Sequence, residues 1–223
     1  PARVEVATAE LRDMAPSVDV SGTVVSLNDS RIASEIEGVL TWLADVGAAV
    51  DAGALIARID PQVIRIEVAR AEADVARLRS DFEYRDRQLE RTEELATKNS
   101  VSQTLLDETR AQREQAQHML NDANAALEFA RANLQRTEIR APFAGHVVAR
   151  LAAVGEFVSV GEDVIRLVDT HRIEISLPAS IAPSRFIKPG MRLPLTSDAV
   201  VREPVVRTVV PVGDAVSRMV EIR

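Results

Sequence analysis

One short glycine-punctuated motif occurs twice in this chain, and its copies, at residues 32–60 and 139–169, are cut apart by a long stretch without glycine. The first copy runs Gly38-Val39, Gly47, Val50, Gly53 and closes at Ile59-Asp60. The second runs Gly145-His146-Val147, Gly155, Val158, Gly161 and closes at Val168-Asp169. In both copies a valine follows the middle glycine by three and the next glycine follows it by six. So short a β motif buries no hydrophobic face alone, so the copies are expected to pair. Pairing draws together the two ends of the intervening stretch. The expected result is a β body with a long helical excursion, and the six glycines Gly38, Gly47, Gly53, Gly145, Gly155 and Gly161 are read as its structural turns.

The excursion spans residues 61–138, with one proline, Pro61, suited to a first helical turn. Its first half sets Ile64, Val68, Ala71, Val75, Leu78, Phe82, Arg85, Leu89, Thr92 and Ala96 on one stripe. Its second half does the same with Leu106, Thr109, Arg113, Ala116, Leu120, Ala123, Leu127, Ala130, Leu134 and Thr137. Steps of three and four alternate without a break, which predicts two antiparallel arms with coiled-coil packing. Folding the arms back sets Val68 against Ala130, Ala71 against Leu127, Val75 against Ala123 and Phe82 against Ala116. Large then meets small, as interdigitating layers require. Arms of ~36 residues at ~1.5 Å each reach roughly 55 Å. The same register opposes Arg85 and Arg113, read either as snorkelling to nearby acids such as Asp81, Asp86 and Glu114 or as a weak point where the hairpin flexes. The turn falls near residues 97–101, with Asn99 at a left-handed position and Ser100 with Gln103 as a capping box for the second helix.

Short alternating segments flank the repeat: Val4-Glu5-Val6 and Val18–Val25 before it, and Arg172–Leu177, Met191–Leu195, Val205–Val210 and Met219–Ile222 after it. Pro and Gly turns, among them Lys188-Pro189-Gly190, separate them. They predict a small antiparallel β-barrel or sandwich over residues 171–223, to which the N-terminal strand is expected to add. The strand pattern runs to the last residue, so this unit is expected to be incomplete at Arg223.

Little in the chain points to catalysis. Cysteine is absent, which excludes disulfides and thiolate chemistry. His118, His146 and His171 are scattered, without a spacing that assembles a metal site. Met14, Met119, Met191 and Met219 are equally dispersed, and no phosphate-cradling loop appears. A net charge of −7 without a basic stripe argues against nucleic acid. Only 3% of residues are aromatic, which suits modular, small-cored units better than one large core. No apolar run is long enough to span a bilayer, so any membrane anchor is expected outside this chain.

The split motif resembles the lipoyl/biotinyl carrier fold, the barrel-sandwich hybrid. Carriers hold their prosthetic group on a lysine at the turn joining the halves; here the hairpin takes that place, and neither Lys98 nor Lys188 stands in such a turn. A lipoyl-like body split by an α-hairpin and followed by a β-barrel resembles the periplasmic adaptors, or membrane fusion proteins. Thr137-Glu138-Ile139-Arg140-Ala141-Pro142-Phe143-Ala144-Gly145 looks like that family's signature at the return from the hairpin. The fold class that follows is mainly β with a long α-helical coiled-coil hairpin. Its expected domains are N-terminal strands over 1–20, a lipoyl-like domain over 21–60 and 139–170, the hairpin over 61–138 and the β-barrel over 171–223. The resemblance also implies docking on an outer-membrane channel through an Arg, a Leu four residues on and a Ser seven beyond, matched here by Arg91, Leu95 and Ser102; the plain structural alternative is that Leu95 packs the last turn and Ser102 helps cap the next helix. It implies an inner-membrane transporter as the other partner, self-association as a trimer or hexamer, and a periplasmic location with an N-terminal anchor. No catalytic residue, metal or cofactor is expected. The transporter is expected to be of the resistance-nodulation-division type. The alternatives are an adaptor of an ATP-driven exporter or type I secretion system and, from another class, a lipoyl or biotinyl carrier domain.

Overall fold

The two motif copies build their body by exchanging strands. The computed structural model describes residues 18–98, 100–180, 184, 186–197, 200–210 and 219–223. After β1 (Thr23–Ser26), the first copy supplies β2 (Asp29–Ala33), β3 (Gly38–Leu43), β4 (Ala49–Val50) and β5 (Leu55–Ile59). The second supplies β6 (Glu138–Arg140), β7 (Gly145–Arg150), β8 (Phe157–Val158) and β9 (Asp163–Val168). One sheet runs β2-β9-β7-β4 and the other β6-β5-β3-β8. Each therefore has a central antiparallel pair from one copy and edge strands from the other. Between the sheets lie Leu40, Ile56, Ile59, Val147, Ile165 and Leu167, all essentially inaccessible.

Four tight turns fasten the exchange, at residues 45–48, 51–54, 153–156 and 159–162, each closed by a backbone hydrogen bond from its fourth residue to its first. Their third residues are Gly47, Gly53, Gly155 and Gly161, with φ of 88°, 82°, 89° and 85°, the geometry of a type II turn. Each glycine N–H then donates into the other copy. Gly47 reaches the Val147 carbonyl at 2.7 Å, and Gly155 reaches that of Leu40 at 2.7 Å. Gly53 bonds to Ala141 at 2.7 Å, and Gly161 to Ser34 at 2.8 Å. The equal spacings in sequence are the trace of this approximate twofold. Gly38 opens β3 rather than forming a turn, and a Cβ there would lie 2.6 Å from the Ile59 side chain. Gly145 departs from the expected role as well. It opens β7 and has no positive φ; it is small because a Cβ there would fall 2.4 Å from the Val168 carbonyl oxygen.

The excursion forms α1 (Gln62–Thr97) and α2 (Gln103–Arg136). Pro61 sits one residue outside α1, as its N-cap, and the Asp60 carboxylate accepts the Gln62 N–H at 3.0 Å. The seam stripes meet as the heptads require: Val75, Leu120, Ala123 and Leu127 cluster, with Val68, Ala71, Leu78 and Phe82 packed against them. Arg85 and Arg113 do not face each other. Arg85 donates to Gln112 at 2.8 Å and pairs with Asp81 at 3.6 Å. Arg113 turns the other way to Asp86 at 2.8 Å, its guanidinium 4.6 Å from the Phe82 ring centre. The snorkelling alternative is the one that forms, and both charges have partners.

A second compact unit takes the described residues up to Leu27 and those from Ile173 onward. It holds β1 with β10 (Ile173–Ser180), β11 (Leu195–Ser197), β12 (Val200–Arg202), β13 (Val209–Val210) and β14 (Met219–Ile222). Its sheets run β1-β10-β14-β13 and β11-β12, all antiparallel, over a core of Ala179, Val206, Val220 and Ile222. The strand at 23–26, expected in the lipoyl-like body, pairs here with β10. Gly22 admits that approach: a Cβ there would lie 2.6 Å from Ile175 and Leu177 side-chain carbons. The alternating segment at Val4–Val6, like Asn99, lies outside the described residues.

Candidate docking site at the hairpin tip

The tip is built by the abrupt end of one helix and the capped start of the next. The Leu95 carbonyl accepts N–H groups from Lys98 at 3.1 Å and Ser100 at 3.0 Å, which turns the chain. The second helix is capped by Ser102, as the structural alternative for that serine has it, and not by the capping box expected at Ser100. Ser102 is extended at φ −77° and ψ 151°, and its Oγ accepts the Leu105 N–H at 3.2 Å. Ser100 instead donates to the Lys98 carbonyl at 3.3 Å, and Gln103 bonds Asp107 rather than reaching back. The cap falls where the seam dictates, because Leu106 and Thr109 must face α1 and both are buried.

Arg91 and Leu95 lie one turn apart on α1 and so share a face. Thr92 and Leu106 close the seam beside them and are buried. Arg91 is exposed and makes no ion pair among the described residues, and Leu95 keeps 45% of its surface in solvent. Ser102 is exposed as well. Its oxygen is used in the cap, but its own O–H proton remains available to an acceptor from outside. Below them Arg110 clamps Glu93 through two nitrogens at 2.9 and 3.1 Å, which ties the arms just short of the tip. Leu105, at 44% exposure, adds to the apolar surface. Sequence reasoning passed over it, although the pair Leu105-Leu106 carried the signal: only one of two adjacent leucines can enter a seam.

His146 Nδ1 lies 2.9 Å from the Thr170 hydroxyl, and His118 and His171 are exposed. Among the described residues no group of three His, Asp or Glu is placed to hold a metal ion, and no helix is long and apolar enough to cross a membrane.

Residues 28–169 match the family model of the CzcB-like barrel-sandwich hybrid domain, the body and the hairpin together. This chain belongs to the CzcB-like barrel-sandwich hybrid family. Multidrug resistance protein MdtA of Erwinia amylovora is 31% identical over 182 residues, covering 79% of this chain and 45% of that protein. Its namesake in Cronobacter turicensis is 29% identical over 204 residues, covering 89% of this chain and 49% of that protein. The chain thus spans about half the length of the curated relatives it matches. Among solved structures, the membrane fusion protein Spr0693 of Streptococcus pneumoniae superposes with a TM-score of 0.74 at 19% identity, over 92% of this chain and 88% of that one. A MacA–MexA chimera carrying the Pseudomonas aeruginosa MexA α-hairpin gives 0.67 at 23%, over 91% and 71%. They share the fold: a barrel-sandwich body interrupted by a helical hairpin.

Proposed function

We propose that this chain is the adaptor subunit of a tripartite efflux pump, linking an inner-membrane transporter of the resistance-nodulation-division type to an outer-membrane channel. The observation that carries this reading is the tip. Arg91 and Leu95 stand one turn apart, exposed, on a hairpin whose own seam is closed by Thr92 and Leu106. An arginine without an ion pair beside an uncovered leucine offers an acceptor-seeking charge and an apolar knob to a partner. Ser102 adds a hydroxyl donor at a position fixed by its cap.

In this reading Arg91, Leu95 and Ser102 dock on the channel, and the protein acts as a conduit rather than an enzyme. Several copies work together, as a trimer or hexamer, in the periplasm and attached to the inner membrane. The name of the MdtA relatives, multidrug resistance protein, supports small organic molecules as the cargo.

The test is photo-crosslinking in the native cell envelope with the full-length protein. A photoreactive amino acid replaces Val101, beside Ser102, and a control replaces Ala125 on the exposed side of α2. The expected product joins the Val101 probe to an outer-membrane channel protein, is absent from the Ala125 control and disappears in Arg91→Asp. Because Arg91 has no ion pair among the described residues, that variant keeps the parent's melting temperature. A Val101 probe that labels only other copies of the same protein overturns the docking role.

A further inference from the structure

The approximate twofold of the body lets its two sheets be compared strand by strand. The order β6-β5-β3-β8 answers to β2-β9-β7-β4, and each sheet has a bulge at the same point of its third strand. The outward side chains differ where the backbones agree. On the first sheet Trp42 stands opposite Arg58, and Val39 opposite Phe157. At the matching places the second sheet has Ala149 opposite Arg166, and His146 opposite Ala49. Trp42 is 42% exposed and Phe157 58%, while their neighbours Leu43 and Val158 are buried in the core. One sheet thus carries a strip of aromatic and apolar surface on its outer face; its equivalent carries small residues and an imidazole. Apolar surface kept on one of two matching faces marks a contact site.

Charge divides the faces in the same way. On the second sheet Arg166 pairs with Asp29 at 2.5 Å and Arg31 with Asp163 at 3.5 Å, so two guanidiniums meet two carboxylates. On the first, Arg58 at 3.7 Å and Arg140 at 2.6 Å share the single carboxylate of Glu138. Among the described residues neither arginine has another ion-pair partner, so one positive charge is left over. Nor does any guanidinium among them lie over the Trp42 ring. Neighbouring strands are ~4.8 Å apart, and two such steps lead from Arg58 on β5 past Trp42 and Val39 on β3 to Phe157 on β8. A guanidinium short of an anion therefore adjoins a strip of uncovered rings. That pattern complements a molecule with an anionic head and an apolar body.

We propose that the outer face of the β6-β5-β3-β8 sheet binds anionic amphiphiles, small molecules that join a carboxylate or similar anion to an apolar body. Arg58 takes the head; Trp42, Val39 and Phe157 take the body. The site lies apart from the hairpin tip and does not depend on the pump reading.

Trp42 is the only tryptophan of this chain, so its emission reports on the face directly. The full-length protein is titrated with dodecanoate and, separately, with the uncharged dodecyl maltoside, both below micelle-forming concentrations. Dodecanoate is expected to shift the emission to the blue and to saturate where the maltoside does not, with the signal absent from Trp42→Phe. Arg58→Gln weakens binding about twofold to fivefold, the scale of one exposed ion pair. Phe157→Ser, which removes a mostly exposed ring, weakens it as well. Arg166→Gln, at the matching place on the other sheet, leaves it unchanged. An equal response to both amphiphiles, or none that saturates, overturns the proposal. So does equal weakening by Arg58→Gln and Arg166→Gln. A blue shift that grows with protein concentration without amphiphile means that a second copy covers the face. A shift with anionic phospholipid vesicles but not with dodecanoate means a membrane surface. Either result also overturns the proposal, and neither bears on channel crosslinking from Val101.

Discussion

At the scale of single residues, the body is pinned by groups with no substitute. Asp169 is 2% exposed. Burial pushes its pKa up, but the backbone N–H groups of Arg172 and His171, the Arg172 guanidinium and the Asn28 amide outweigh this and lower it from 3.8 to about 2. A carboxylate whose pKa is lower when folded stabilises the fold fully above its unfolded value, and that stability is lost as pH falls through the folded value. The Asp169 contribution is therefore complete above 3.8 and drains away toward about 2. Asp169→Asn is expected to lower the melting temperature at neutral pH and to flatten its fall within that acid window, as a pH series of thermal unfolding will read. The glycines make a second contrast. Gly47 has φ 88°, and a methyl added there would meet nothing within 4 Å, so Gly47→Ala strains only the backbone, at about 1–2 kcal/mol. Gly145→Ala drives a methyl to 2.4 Å from the Val168 carbonyl oxygen, a backbone atom, and is expected to cost on the order of 3 kcal/mol or more in denaturant unfolding. Spacing alone gave these two glycines one reading. The difference lies in Val168, a residue brought alongside only by the fold.

At the scale of elements, what local chemistry decides was legible and what distant partners decide was not. The heptad stripes marked the seam, and α2 buries Leu106, Thr109, Ala116, Leu120, Ala123, Leu127 and Ala130 from that stripe. Leu120→Ala should therefore cost about 2–3 kcal/mol by cavity formation, measured as a shift in the unfolding midpoint. Both Ser100 and Ser102 read as caps in sequence, and the seam partner of Leu106 chose between them. The strand exchange was legible as a need for pairing but not as an order, since edge strands find their neighbours across the whole hairpin. Nor did alternation at 23–26 reveal that β10 was its partner. Among the tip residues, Arg91 and Leu95 are exposed as a docking role requires, while Ser102 also has a structural task. Its two tasks separate by substitution. Ser102→Ala should fray the start of α2 at a cost of about 1 kcal/mol. Ser102→Asp keeps a cap acceptor but has no hydroxyl proton to donate. If the hydroxyl docks, the aspartate variant melts like the parent and loses channel crosslinking; unchanged crosslinking would leave Ser102 a cap and nothing more.

At the scale of the whole molecule, the hairpin is an insertion that its body does not need. The residues buried between the body sheets all come from strands and turns, and neither helix contributes one. The ends of the insertion are held by the β5–β6 pairing, with Leu55 opposite Arg140 and Arg58 opposite Glu138, and by the Ile59 N–H donating to the Thr137 carbonyl at 2.8 Å. Loop-closure entropy grows only slowly with length, so a long rigid insertion at this site destabilises the body little. The converse is a sharp expectation. Replacing residues 62–136 by a short glycine-containing turn should leave a body that unfolds cooperatively, with a β-type circular dichroism spectrum and no helical minimum. Such a body would show that hairpin length is free to change without loss of the fold beneath it. A molten or aggregated product would mean instead that the antiparallel helices hold β5 and β6 in register, and that body and hairpin fold as one cooperative unit.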